Sequence, residues 1–349
     1  MNKTLSQLRI LYLIKTMGIG GAERFTFNLC KYFSKRVDHI TVFSSGGIFV
    51  EELNKLGINH ISSTFANGKN FLKLRKQIKD LIKNNNFDII HCQHRIFLPI
   101  LRTIKTGNTK LIYTANNFFN DIYQKVLFPD AAVAISPSIE KNLLETTFLH
   151  KRKIFRINYG VEIRDIFKPS DENIALGFVG RLIREKGIYQ LIEAFKEITT
   201  ERFRLIICGD GPEKNNILKI IQNEGPASNI RLIPPTIEID QVYKLIDILI
   251  LPTSLNEGLP ISILEALVRK IIVVTTEKGA IKDIIVDNET GFILKDNTVA
   301  GIIENVDYLV KNSRLLGDIK EKGYNKVKND YSIDVMLEGY KRLYLKMLN

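Results

Sequence analysis

Short apolar runs alternate with amphipathic stretches along nearly the whole chain. RILYLIKTMG, HITVFSSG, FDIIHCQ, KLIYTA and AAVAISP read as strands, each running into a polar or glycine-bearing loop, and GGAERFTFNLCKYFS reads as a helix between the first two. A second set follows, with IALGFVG, FRLIICG, IRLIPP, DILILP and IIVVTT as strands. GIYQLIEAFKEI, EKNNILKIIQNE, QVYKLI and ISILEALVRK are the helices between them, and DVMLEGYKRLYLKMLN is a final amphipathic helix. Strands this uniformly apolar belong to parallel sheets covered on both faces. Between the two sets, INYGVEIRDIFKPSDEN (residues 158–173) loses all periodicity and reads as a linker. The expectation is an α/β protein of two doubly wound, Rossmann-like domains, residues 1–165 and 166–330. Residues 331–349 form a helix that packs back toward the first domain.

Composition agrees with this division. A chain of 349 residues, 45% of them hydrophobic, is long for one core and natural for two. It has no apolar run of about 18 residues, and its first stretch lacks a small-residue cleavage site, so neither a spanning helix nor a secretion signal is expected. The expected location is cytoplasmic. Cys30, Cys92 and Cys208 sit far apart in apolar segments, which fits buried thiols and not disulfides or metal ligands.

The net charge of +12 is unevenly placed. Residues 1–165 hold 25 of the 50 Lys/Arg but only 12 of the 38 Asp/Glu, so the excess belongs to the first half. Its densest part, residues 68–86, predicts a helix with Phe71, Leu72, Leu74, Ile78, Leu81 and Ile82 on one side and Lys69, Lys73, Lys76, Lys79 and Lys83 on the other. Two readings fit this helix: a core-packing element with a solvated basic face, or one that also rests on an anionic membrane surface. Nucleic acid is not expected as a partner, because no recognition helix or aromatic-rich single-strand motif accompanies the charge.

Three loops carry candidate chemistry. GIGGAER (residues 18–24) joins a strand to a helix, and its glycines allow either close backbone approach to a ligand or only a tight turn. It is not GxGxxG, and no acid suitably placed about 20 residues on completes a dinucleotide fingerprint. In GFVGRLIREKG, Arg181 and Lys186 flank a strand-to-helix loop at the carboxyl edge of a sheet, where ligands bind in such folds. One guanidinium and one ammonium there suit a diphosphate. In EGLPISILE, Pro260 is favoured at a helix start, so Glu257 falls in the loop and Glu265 about a turn inside the helix. N–H groups of Leu259 and Ile261 are then available to an anion, unless Glu257 only caps the helix and Glu265 is solvated.

Together, GGAER, FVGRLIREKG, ICGDGPE and EGLPISILEAL resemble, in order and spacing, the retaining nucleotide-sugar glycosyltransferases of family 4, which have the GT-B fold. The resemblance covers nearly the whole chain and is strongest over residues 174–294. It implies that Arg181 and Lys186 hold the donor diphosphate, that Glu265 binds ribose hydroxyls and that Glu257 meets the transferred sugar. It places Gly209, Pro234, Gly258, Leu259, Pro260 and Ile261 around the donor, with Gly20 and Gly21 facing it across a cleft. Pro234, Pro235 and Thr236 border the base. In the family, retention is explained by front-face attack in which the departing phosphate takes the acceptor proton, so no side-chain base is needed. The chain contains no Asp-x-Asp, which agrees with phosphate neutralised by protein cations, and no metal is expected.

The sequence also departs from the family pattern. Where a T-x-H motif is usual after KLIYTANN, this chain has Thr114, Ala115 and Asn116, and Asn116 cannot carry charge. His94, from HCQH, is the candidate to compensate, whereas His91 reads as structural and the HxxH spacing lacks further metal ligands. EKGAIKDII has one glycine and offers Asp283 near the sugar. The implied substrates are a UDP- or GDP-sugar and a glycan or polyprenyl-linked acceptor of bacterial surface polysaccharide, capsule or lipopolysaccharide, at the inner face of the membrane. Rival functions are a nucleotide-sugar epimerase of the same fold and a non-catalytic sugar-nucleotide-binding protein.

Overall fold

The two sheets are both entirely parallel, and most of their strands are ones that the apolar runs mark. The computed structural model describes residues 3–63, 71–104, 106–119, 128–164, 173–198, 202–223 and 229–348; residues 165–172 of the expected linker and 68–70 of the expected basic helix lie outside them. The chain divides into one unit of Met1–Gly160 with Ile333–Asn349 and a second of Val161–Ser332.

The first unit contains β1 (Arg9–Leu13), α1 (Gly21–Phe33), β2 (His39–Ser44), α2 (Phe49–Lys55), β3 (Asn59–Ser62), α3 (Phe71–Asn85), β4 (Ile89–Cys92), α4 (Leu98–Arg102), β5 (Lys110–Ala115), β6 (Ala131–Ala134), α5 (Pro137–Thr146) and β7 (Ile154–Arg156). Its sheet order is β3-β2-β1-β4-β5-β6-β7. Chain reversal at β1 puts the loops after β1 and β4 side by side, with Leu11 in register with Thr41 on one flank and Ile90 on the other. α1 buries Phe25, Leu29, Cys30 and Phe33, a stripe with helical spacing. α5 starts at a Ser136 cap, whose Oγ accepts from Ile139 N at 3.2 Å, followed by Pro137.

α3 corrects one expectation. Leu74, Ile78, Leu81 and Ile82 are buried, and Lys73, Lys76, Lys79 and Lys83 are exposed, but Phe71 and Leu72 are 51% and 76% exposed. At about 100° per residue Leu72 falls well off the buried stripe, and Phe71 belongs to the first turn. The apolar face is therefore shorter than the run of apolar letters.

The second unit contains β8 (Ile174–Val179), α6 (Ile188–Glu197), β9 (Phe203–Cys208), α7 (Lys214–Asn223), β10 (Ile230–Ile233), α8 (Ile239–Tyr243), β11 (Ile248–Leu251), α9 (Ile261–Leu267), β12 (Ile272–Thr276), β13 (Phe292–Leu294), α10 (Val299–Lys311) and α11 (Leu316–Asp330). Its sheet order is β10-β9-β8-β11-β12-β13. The order reverses between β8 and β11, the place where doubly wound sheets bind ligands at the carboxyl edge.

The remaining helix, α12 (Ile333–Leu348), belongs to the first unit and buries Met336, Leu337, Tyr340, Leu343 and Tyr344. Its two tyrosines enter a closed polar network: Tyr344 Oη lies 2.6 Å from His91 Nδ1 and 3.0 Å from Tyr12 Oη. His91 Nε2 is 2.8 Å from Thr114 Oγ1, which is 3.1 Å from Tyr340 Oη. Buried polar groups are tolerated when bonded in this way. Burial lowers the pKa of His91 to about 3, so the ring is neutral. Cys30, Cys92 and Cys208 are free and buried.

Candidate active site

In the second unit the loops after β8, β9, β10 and β11 carry most of the expected donor residues. The loop after β8 closes with a short 3-10 turn over Arg184–Lys186 that ends at Gly187. Gly187 has φ 76° and presses against Pro252, a position with neither the backbone angle nor the room for a side chain. This turn aims Lys186 inward: its ammonium lies 2.5 Å from Glu257 Oε1, with the two side chains only 16% and 13% exposed. Lys186 and Glu257, 71 residues apart in sequence, thus share one small polar site. Arg181 stands in the same loop but is exposed, and among the described residues its guanidinium has no ion pair.

The loop holding Glu257 is fixed from a third strand. Gly279, after β12, has φ 61° and packs on the Glu257 backbone, and Ala280 N donates to Glu257 O at 2.8 Å. The single glycine of EKGAIKDII is therefore a packing element for the Glu257 loop. Asp283 lies in the 3-10 turn that follows, and its carbonyl accepts from Tyr331 Oη at 3.2 Å.

The helix after Pro260 starts where expected, at Ile261, with Pro260 as its cap residue. It stops earlier than expected, at Leu267, because Lys270 adopts φ 56° and Ile271 N turns back to Ala266 O at 3.1 Å. With so short a helix, the N–H groups of Gly258, Leu259 and Ile261 matter as individual donors more than through a macrodipole. None of the three meets a protein acceptor among the described residues.

Glu265 is not solvated: it is 8% exposed, and Oε2 accepts from Tyr243 Oη at 3.0 Å. Gly209 N donates to Ile233 O at 3.2 Å, joining the ends of β9 and β10, and the Pro234 carbonyl accepts from Cys208 Sγ at 3.7 Å. Cys208 is pushed up to about 11 by burial and then by the negative charge of Glu265, which places that carboxylate beside the end of β9.

In the first unit Gly20, Gly21, His94 and Asn116 lie on the loops after β1, β4 and β5. Gly20 precedes α1 and Gly21 is its first residue. The Glu23 carboxylate stands where a side chain on Gly20 would be, tied by Thr16 Oγ1 at 2.8 Å. A carboxylate in the first turn complements the positive helix end electrostatically and disfavours an anion there. His94 Nδ1 accepts from Lys15 N at 3.2 Å, so a neutral ring carries its proton on Nε2. Burial, then the nearby Lys15, lowers its pKa to about 4. Asn116 Nδ2 donates to Gln93 O at 3.0 Å, which ties the β5 loop to the residue before His94. Gln93 is 1% exposed, and its Oε1 has no protein partner among the described residues.

Comparison with known proteins decides the family. The model for glycosyl transferases group 1 matches residues 161–326, and that for Glycosyltransferase Family 4 matches residues 19–165. The chain belongs to the family 4 glycosyltransferases. This glycosyltransferase is 26% identical over 234 residues to the capsular polysaccharide biosynthesis glycosyltransferase CapM of Staphylococcus aureus, covering 61% of this chain and 60% of that protein. It is 25% identical over 274 residues to the lipopolysaccharide 1,2-N-acetylglucosaminetransferase of Salmonella typhimurium, covering 75% of this chain and 68% of that one. Among solved structures, Anabaena Alr3699/HepE in complex with UDP-glucose superposes with a TM-score of 0.83 at 16% identity, covering 97% of this chain and 99% of that one. The two parallel-sheet domains are those of the GT-B fold.

Three residues of the candidate site escaped sequence reasoning. Tyr243, which holds Glu265, belongs to a helix with no motif; Glu23 lies inside the GGAER motif without advertising that it turns back on the glycines. Thr253, in PTSLN, bonds Glu257 across four residues. Among the described residues no group of three or more His, Cys, Asp or Glu is placed to hold a metal ion, and no helix is long and apolar enough to cross a membrane.

Proposed function

We propose that the chain is a retaining, metal-independent hexosyltransferase that moves a sugar from a UDP- or GDP-sugar to a glycan or polyprenyl-linked acceptor in bacterial surface polysaccharide synthesis. The observation that carries the donor half is the Lys186–Glu257 pair at the reversal point of the second sheet, with Arg181 in the same loop and Glu265 one helix turn beyond the Glu257 loop. Lys186 and Arg181 counter the charge that develops on the departing diphosphate. Glu257 receives hydroxyls of the transferred sugar, and Glu265 those of the ribose. The anomeric carbon's bond to phosphate oxygen breaks, its bond to the acceptor oxygen forms on the same face, and the acceptor proton leaves on the nucleoside diphosphate. No side-chain base enters this scheme. His94 Nε2–H and the Asn116 amide are neutral hydrogen-bonding groups for the sugar or acceptor, in place of a histidine at position 116.

The surface polysaccharide context is supported by the Staphylococcus and Salmonella relatives, and a nucleotide-sugar donor by the fold shared with a UDP-glucose complex. The exposed lysines of α3 support a peripheral position on the inner face of the membrane.

Calorimetry tests the donor site with UDP-glucose, UDP-N-acetylglucosamine and GDP-mannose as probes. Arg181→Ala, Lys186→Ala and Glu265→Ala should each weaken binding of the preferred probe about tenfold or more, the loss expected for a hydrogen bond to a charged group. Unchanged affinity in all three variants removes this reading.

A further inference from the structure

Thr253 joins the loops that follow β8 and β11. Its side chain is fully buried, and its hydroxyl lies 3.2 Å from Glu257 Oε1 and 3.3 Å from the Glu185 carbonyl while accepting Leu255 N at 3.1 Å. Its own carbonyl is held by Thr276 Oγ1 of β12 at 2.5 Å, so the backbone that presents the hydroxyl is fixed by the neighbouring strand. A threonine hydroxyl has one proton to give. The Glu185 carbonyl already receives Ser254 N at 2.8 Å and Ser254 Oγ at 3.1 Å. The carboxylate is the stronger acceptor because its charge assists the bond.

We infer that Thr253 is a positioning residue for sugar transfer: its buried hydroxyl sets the orientation of Glu257, so that Oε1 holds both that hydroxyl and the Lys186 ammonium and Oε2 is left for a hydroxyl of the donor sugar. Among the described residues no hydrogen bond reaches Oε2, and the Glu257 side chain is 13% exposed. The pair with Lys186 fixes one edge of the carboxylate, and the hydroxyl, coming from the strand side, keeps it from rotating about that contact. The inference rests on the donor-site reading above.

The test separates positioning from general loosening of the fold. Thr253→Val keeps the branched shape and removes the hydroxyl, whereas Thr253→Ser returns it. Calorimetry with UDP-glucose, UDP-N-acetylglucosamine and GDP-mannose, and with UDP and GDP alone, should show Thr253→Val weakening the preferred sugar nucleotide about tenfold and the matching nucleoside diphosphate less than about twofold. Thr253→Ser should bind like the wild type. In a Glu257→Ala background, Thr253→Val should change sugar-nucleotide affinity less than about twofold, since residues acting as a unit are not additive. Equal weakening of sugar nucleotide and free diphosphate, or a full additional loss in the Glu257→Ala background, overturns the assignment. If Lys186→Ala loses binding while Thr253→Val loses none, only the Thr253 inference falls; if Arg181→Ala, Lys186→Ala and Glu265→Ala all bind as the wild type does, the donor site falls with it.

Discussion

Glu265 shows how much of a carboxylate's behaviour is set by neighbours that its own motif does not contain. Tyr243 Oη faces both Glu265 Oε2 at 3.0 Å and Ser262 O at 3.1 Å. Arg269 donates to Glu265 O at 2.6 Å, stacks 4.8 Å from the Tyr243 ring centroid and pairs with Asp240. Burial pushes Asp240 up, but bonds from Arg269 and Arg164 outweigh it and hold the carboxyl below its usual range. Tyr243→Phe removes one hydrogen bond to a buried carboxylate without changing shape, an effect of about 1 to 2 kcal/mol. If Glu265 serves the ribose, the variant weakens UDP and the UDP-sugar equally, by about tenfold, in calorimetry; a loss confined to the sugar nucleotide would place Glu265 elsewhere. The acids and cations of this site were legible because few residue types can bind phosphate or sugar hydroxyls. Tyr243 and Thr253 were not, because a buried tyrosine or threonine in an apolar segment looks like any core residue until its partner is known.

At the level of elements, strands that are apolar throughout announced themselves, and ten of the thirteen strands among the described residues were read from their runs. β3, β7 and β13 lie at or near the sheet ends, and β3 and β7 carry His60, Ser62 and Arg156, so their letters resemble loop. α3 was legible as a helix but not in where its buried face ends, since apolar letters alone do not say which of them tertiary packing covers. Its exposed first turn places Phe71 and Leu72 beside Lys73 and Lys76, apolar and basic groups together at one end. Such a pairing suits a shallow seat among anionic headgroups. Replacing Lys73, Lys76, Lys79 and Lys83 with Glu should abolish flotation with phosphatidylglycerol-containing vesicles, since each cation contributes about 1 kcal/mol. Leu72→Asp should reduce it. Equal flotation of wild type and the fourfold variant, or none of the wild type on either anionic or neutral vesicles, removes the membrane role.

For the whole molecule, the buried neutral histidines set the response to acid. His91 has an ordinary value of 6.5 and a folded value of about 3, and His94 is lowered to about 4. Between 6.5 and those values the unfolded chain takes up protons that the folded chain refuses, so stability is full above pH 6.5 and is lost as pH falls below it. Each histidine contributes a slope of about 1.4 kcal/mol per pH unit in that window. Urea unfolding followed by circular dichroism should give a level midpoint from pH 8 to 7 and a falling one from 6.5 to 4.5. His91→Gln should start lower at pH 8 yet decline less steeply, and a wild-type midpoint that stays level down to pH 5 contradicts a neutral His91 in the core.

The place of α12 bears on how the protein is made. Tyr12, His91 and Thr114 are translated early, but Tyr340 and Tyr344, which complete their network, emerge only after the whole of Val161–Ser332. The nascent N-terminal lobe must therefore wait, with an uncovered greasy groove and unmet hydroxyls, while the ribosome finishes the other one. A chain that stops before residue 333 leaves that lobe without its last layer, and an apolar groove left open in this way invites aggregation.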